Sequence, residues 1–174
     1  MKAPILKASE WEQVEAHLAT MKRPAHYRLL VLLVRKLGLR PKELAALDRS
    51  WFRSDELRIP IGYSKRGSGR SLPVDNEILT ALEDHMGDRT GLVFVNRMGL
   101  GFTPGLLSES VRRLFREAGV QGSAYSGRRG MATRLVDEGA NILVVQKALG
   151  HKHASTTMSY VEVTDSMLRR ALFA

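Results

Sequence analysis

Reactive side chains are concentrated in the last third of the sequence. Tyr125-Ser-Gly-Arg128-Arg129 is followed by Leu149-Gly-His151, and nine residues further on stands Tyr160. A phenol can attack an electrophile once its proton is removed. An imidazole exchanges protons near neutral pH, and guanidinium forks bind charged oxygens in pairs. Taken singly, each residue also has a plainer use: Arg128 as a surface charge, His151 as a locally bonded helix-end residue, Tyr160 as an amphipathic core residue. Their order and joint occurrence make them informative. Upstream, Arg40 and Glu43 flank the Pro41-Lys pair, and the basic stretch Ser64-Lys-Arg-Gly-Ser-Gly-Arg-Ser71 holds Lys65, Arg66 and Arg70.

These side chains need elements to hold them. A capping box from Ser9 to Glu12 predicts a helix to about Leu18, with Trp11, Val14 and Leu18 inward. Pro24 opens a second helix, apolar on most faces from Tyr27 to Leu37 and stopped by Gly38. Pro41 starts a short third helix carrying Leu44 and Leu47, which puts Arg40 at the mouth of its amino terminus. Glu43 can then orient Arg40 or cap that terminus. Leu57 to Ile61 and Ser71 to Val74 read as short strands of a hairpin joined through Gly67, Ser68 and Gly69.

Asp75 caps a helix to about His85, and Leu92 to Val95 reads as a strand or an extended connector. A helix beyond Pro104 buries Leu106, Val111, Leu114 and Phe115 and ends near Gly119. Helices then span about Arg128 to Glu138, Asn141 to Leu149, Ala154 to Tyr160, and Asp165 to Phe173. The expected fold class is α+β, mainly helical with one small antiparallel sheet. The 174 residues suit one domain, 1–174, able to bury its own core.

Lysine and arginine number 27 against 18 acidic residues, a formal charge of +9, which suits a polyanionic partner such as nucleic acid. A merely basic soluble protein is the alternative on charge alone. Without cysteine there is no disulfide framework, thiolate zinc site or cysteine nucleophile. The amino terminus lacks an apolar signal core, and the run Leu29 to Val34 is too short to span a bilayer. No membrane association is expected, and a cytoplasmic, nucleoid-associated location is the simplest inference.

Gly38-Leu-Arg40-Pro-Lys-Glu43-Leu, the segment Tyr125 to Arg129, Ala132-Thr133, Gly139, Leu149-Gly-His151 and Tyr160 together resemble the catalytic domain of the tyrosine recombinase (phage integrase) family. The likeness is strongest from Ser123 to Leu172. It implies a site-specific recombinase or integrase that cuts and rejoins double-stranded DNA through a 3′-phosphotyrosine intermediate, with neither metal nor cofactor. Tyr160 would be the nucleophile, Arg40 and Arg128 would grip the scissile phosphate, and His151 would donate to one of its oxygens. Lys65 would protonate the leaving 5′ oxygen, and Glu43 would support Arg40. Arg66, Arg70, Arg129 and Lys152 are assigned to DNA contacts.

Tyr125 occupies the position where most relatives carry histidine. A phenol with a pKa near 10 donates well and accepts poorly at neutral pH, so slower chemistry is expected. The chain begins close to where the family's catalytic domain begins, so the additional amino-terminal DNA-binding domain is expected to be absent. The apolar stripe Met167, Leu168, Ala171, Leu172 and Phe173 suits packing on its own domain or on a neighbour, and the resemblance implies the latter: an oligomer, up to a tetramer, on DNA and a monomer without it. An accessory protein setting directionality is a further implied partner. The alternatives are a catalytically impaired DNA-binding or regulatory relative, a type IB-like topoisomerase, and a helix-turn-helix over Val144 to Val161.

Overall fold

Helix formation along this chain follows apolar periodicity and local caps. The computed structural model describes residues 3–63 and 69–173. Helix α1 (Ala8–Leu18) buries Trp11, Val14 and Leu18. Its cap differs from the expected one: the Lys7 N–H donates to Glu10 Oε2 at 2.7 Å, and Ser9 lies inside the helix. Glu10 can do this because it is the third helical residue, where a carboxylate reaches back to the free first-turn donors.

Helix α2 (Pro24–Lys36) runs through the centre, with Leu29 to Val34 all buried. Helix α3 (Pro41–Ala46) follows directly. Strands β1 (Glu56–Ile59) and β2 (Arg70–Pro73) pair antiparallel in the register Glu56 with Pro73 through Ile59 with Arg70. The first strand stops before Pro60, which has no N–H to extend the ladder. Helix α4 (Asn76–Met86) is capped by Asp75, whose Oδ1 accepts the Ile78 N–H at 3.0 Å.

Leu92 to Val95 forms an extended connector. It is tied by single bridges from Leu92 to Asp48 and from Val95 to Gly101, and it buries Val93 and Phe94. On α5 (Pro104–Glu117), Leu107 takes the buried place expected for Leu106, which is 56% exposed. Leu107 lies four residues before Val111 and seven before Leu114, so helical geometry puts these three on one stripe.

Helix α6 (Ala124–Asp137) begins earlier than its expected start at Arg128, because Ser126 Oγ accepts the Ser123 N–H at 3.0 Å and caps the entry. Tyr125 and Arg128 therefore share its opening turns. Helices α7 (Ile142–Leu149), α8 (Ala154–Met158) and α9 (Asp165–Phe173) complete the described elements. At five residues, α8 is too short for the recognition helix of the helix-turn-helix alternative.

Among the described residues, the buried apolar side chains form two clusters. The larger is built around α2 and gathers side chains from α1, α4, α5 and the hairpin. The smaller holds Met131, Ala132, Val145 and Leu149, with Tyr160 and Val161 packed against it. Among the described residues, no helix is long and apolar enough to cross a membrane.

Candidate active site

Of the predicted site residues, Arg40, Arg70, Arg128 and His151 meet where α3, β2, α6 and the turn after α7 come together. Arg128 lies at the centre and is fully buried. Its Nη1 donates to the Gly38 carbonyl at 2.6 Å, and its Nη2 donates to the Leu149 carbonyl and lies 3.2 Å from His151 Nε2. The Leu149 carbonyl is at the C-terminus of α7, where partners for the last carbonyls are scarce and the dipole is negative, and Gly38 lies just past the end of α2. The guanidinium thus ties the end of α2 to the end of α7. Among the described residues its Nε–H has no partner. Burial, followed by the nearby Arg40 charge, lowers the Arg128 pKa from the usual guanidinium value.

Arg40 stands at the amino terminus of α3, two residues after the carbonyl that Arg128 holds. Glu43 performs both roles the sequence allowed. Its Oε2 accepts the Arg40 N–H at 2.8 Å, and its Oε1 accepts from Arg40 Nη1 at 3.0 Å. The same carboxylate takes a two-pronged contact from Arg70, at 2.6 Å and 3.0 Å. Burial opposes ionisation of Glu43, yet the Arg70 hydrogen bonds and charge, with those of Arg40, hold its pKa below the carboxylate norm.

Arg70 was expected to contact DNA. Its side chain is only 4% exposed and its fork is engaged by Glu43, so it braces Arg40 instead of presenting itself to solvent. Arg129 is likewise engaged within the chain, donating to the Ala3 carbonyl and, at 3.1 Å, to Glu162 Oε2. Lys152 is exposed at the mouth of the site. Lys65 and Arg66 lie outside the described residues.

His151 follows Gly150, whose φ of +61° closes α7 and whose missing Cβ leaves room for Arg70, as an added Cβ would sit 3.0 Å from its Nη1. The turn is held by Gln146, which donates to the carbonyls of His151 and Lys152, each at 3.1 Å. On the imidazole itself, Nδ1 lies 3.0 Å from Oγ1 of the fully buried Thr157. Burial, then the charges of Arg128, Arg40 and Arg70, lower the His151 pKa to about 4, so the ring is neutral at pH 7.

Tyr160 sits just beyond α8. Its ring centroid is 5.0 Å from that of His151 and 5.6 Å from Cζ of Arg128. Tyr125 is 46% exposed. Together with Arg40, Gly150, His151, Lys152 and Tyr160 it lines a cavity of ≈ 260 Å³. A larger cavity of ≈ 570 Å³, lined in part by Arg112 and Arg129, shares both tyrosines.

Arg40, Tyr125, Arg128, His151 and Tyr160 therefore gather in one place. Sequence reasoning missed Thr157, Gln146 and the bracing role of Arg70. A buried threonine six residues after His151 carried no charge or spacing signal of its own.

The resulting arrangement is a polarised pocket, with buried guanidinium, a neutral imidazole and a phenol, suited to attack on a phosphate. The sequence matches the phage integrase family over residues 5–167. It is 28% identical over 151 residues to the tyrosine recombinase XerA of Pyrococcus furiosus, covering 83% of this chain and 53% of that protein. Against XerA of Thermococcus kodakarensis the identity is 32% over 152 residues, with the same coverage.

The chain thus spans about half the length of these curated relatives. In fold it is similar to a crystal structure of XerA recombinase, with TM-score 0.82 and 23% identity over 98% of this chain and 64% of that one. It is also similar to XerH recombinase bound to a palindromic difH substrate in a post-cleavage complex, with TM-score 0.79 and 23% identity over 99% of this chain and 53% of that one.

Proposed function

Because this chain belongs to the phage integrase family, we propose that it cuts and rejoins double-stranded DNA by strand exchange through a 3′-phosphotyrosine link at Tyr160. The observation carrying the reading is the convergence of Arg128, His151 and the Tyr160 ring, with Arg40 two residues from a carbonyl that Arg128 holds. The names of the relatives, tyrosine recombinases that include one bound to its DNA site, support the same assignment.

A phosphodiester entering the ≈ 260 Å³ cavity meets Arg40 at a helix amino terminus, where backbone dipoles add to the positive charge. Arg128 is covered in part by the Tyr160 ring, so the nucleophile must shift as the phosphate reaches the buried guanidinium. The phenol oxygen then attacks phosphorus and the 5′ oxygen leaves with a proton, for which Lys65 is the proposed donor. Phosphodiester is exchanged for phosphodiester, so a second 5′ hydroxyl can reverse the step without an energy source. Tyr125 donates to a phosphate oxygen.

Assembly on DNA is proposed to run through α9. Arg170 anchors it by donating to Asp137, while Leu168, Leu172 and Phe173 stay more than half exposed. An accessory protein setting direction would act on that assembly. A catalytically idle DNA-binding relative and a type IB-like topoisomerase are the competing outcomes of one experiment. The chain is incubated with nicked duplexes randomised around the nick, then denatured to trap covalent adducts. Adducts present in the native chain and lost in Tyr160→Phe are expected. No adduct would favour the idle relative, and relaxation of supercoiled plasmid without exchange would favour the topoisomerase.

A further inference from the structure

We propose that His151 is the base that takes the proton of Tyr160, through Nε2, and that Thr157 is the positioning residue that keeps His151 in the tautomer able to do so. The inference rests on the strand-exchange reading above and departs from the expectation that His151 only donates to the phosphate.

The hydrogen-bond pattern fixes the tautomer. Arg128 Nη2 has only hydrogens to offer, so at 3.2 Å it makes His151 Nε2 an acceptor. A neutral imidazole with a bare Nε2 carries its proton on Nδ1. That proton goes to Thr157 Oγ1, 3.0 Å away and fully buried. The ring nitrogen beside the arginine is therefore a lone pair. In this form it cannot donate to a phosphate oxygen.

The other tyrosine at the cavity does not meet the need for such a base. Tyr125 is a phenol, a poor proton acceptor at neutral pH. His151 is an imidazole whose ring centroid lies 5.0 Å from that of the nucleophile.

Among the described residues, the charged groups acting on it are Arg40 and Glu43 on α3, Arg70 on β2, and Arg128 on α6. In the free protein the three arginines outnumber the one carboxylate and oppose a proton on the ring. An entering phosphodiester changes both conditions. It draws the Arg128 hydrogens toward its own oxygens, which frees the Nε2 lone pair, and its negative charge offsets the arginines, which makes that lone pair more basic. The base strengthens when substrate is present.

In the step itself the phenol O–H bond breaks as the Oη–P bond forms. Its proton passes to Nε2, the P–O5′ bond breaks, and the leaving oxygen takes its proton from the separate acid. On rejoining, the imidazolium returns the proton to the phenol.

The test has two arms on the intact chain. Without DNA, long-range proton–nitrogen correlation spectra at neutral pH should find His151 with its proton on Nδ1. Thr157→Ser should keep that form, and Thr157→Val should move it toward Nε2–H. A native ring already protonated on Nε2 overturns the proposal.

In the second arm, adducts are timed on randomised nicked duplexes with a sulfur leaving atom at the 5′ position, which needs no acid. His151→Gln, which still donates, should slow them by about 10²–10⁴-fold and remove the rise of rate with pH. Replacing Tyr160 with a fluorinated tyrosine of lower pKa should recover most of that loss. If His151→Gln is not rescued by the more acidic phenol, His151 serves the phosphate and not the proton. If the native chain forms no adduct at all, the strand-exchange reading and the proton transfer both fail, while the Thr157 contact is judged by the spectra alone.

Discussion

Among single side chains, Glu43 holds together the most of the site. One fully buried carboxylate caps α3 and orients Arg40, and it also anchors Arg70. Glu43→Gln keeps the shape but leaves two arginines facing a neutral amide. Removing one partner from a buried ion network costs about 3–5 kcal/mol, so a comparable loss of stability is expected in urea unfolding, with adduct formation reduced alongside. A loss within ~0.5 kcal/mol, the range of ordinary surface substitutions, would mean that the carboxylate is not the hub described. Arg128 acts in the same dual way. The hydrogen bonds that tie it to Gly38 and Leu149 keep its charge beside Tyr160.

At the scale of elements, the approach of α6 to α2 decides whether Arg128 reaches its carbonyls. Gly127 makes that approach possible, since a Cβ there would lie 2.5 Å from Val34 Cγ1 and 2.6 Å from the Val34 carbonyl oxygen. Gly127→Ala is expected to destabilise the fold by about 1–3 kcal/mol or more, as overpacking does. Adding Val34→Ala should not restore it, because the backbone clash remains. Thermal unfolding of the single and double variants checks both statements.

The elements differ in how readily the sequence shows them. Helices opened by Pro or Asn and closed by Gly, such as α2 and α7, are legible because those residues act locally. The start of α6 is not, because a serine pair caps it through a side chain whose geometry exists only once folded. The site divides along the same line. Arg40, Arg128, His151 and Tyr160 carry motif spacing, whereas Thr157 and the Arg70–Glu43 fork depend on contacts between distant segments. Leu106 was misread for Leu107 because adjacent leucines offer two helical phases, and packing chooses one.

For the whole molecule, His26 is one of three histidines, with His85 and His151, whose lowered pKa makes stability fall in acid. Its pKa is lowered to about 3 by burial, then by His85, Arg23 and Arg89, and its ring packs edge-on against Tyr27, His85 and Phe94. A histidine neutral when folded but ordinary when unfolded leaves the unfolded chain holding more protons between the two pKa values. The contribution of His26 is therefore complete above pH 6.5 and is lost as pH falls toward 3. Glu43, with its lowered pKa, acts in the same direction in acid. His26→Phe should flatten the upper part of that acid limb in urea titrations. An unchanged limb would place the acid sensitivity elsewhere.

Assembly belongs to this scale as well. Removing the residues after Thr164 should abolish oligomers on DNA while sparing adduct formation, read by native gels and denaturing gels on the same samples. Undiminished assembly would mean that α9 serves only its own domain.

The central claim is that Tyr160, seated against Arg128 and His151, becomes joined to the 3′ phosphate of a cut strand. Peptide mapping of the nuclease-trimmed adduct by mass spectrometry tests it most directly. A nucleotide joined through its 3′ phosphate to the peptide carrying Tyr160 is the predicted result, and a nucleotide on any other peptide, or one joined through its 5′ phosphate, would contradict it.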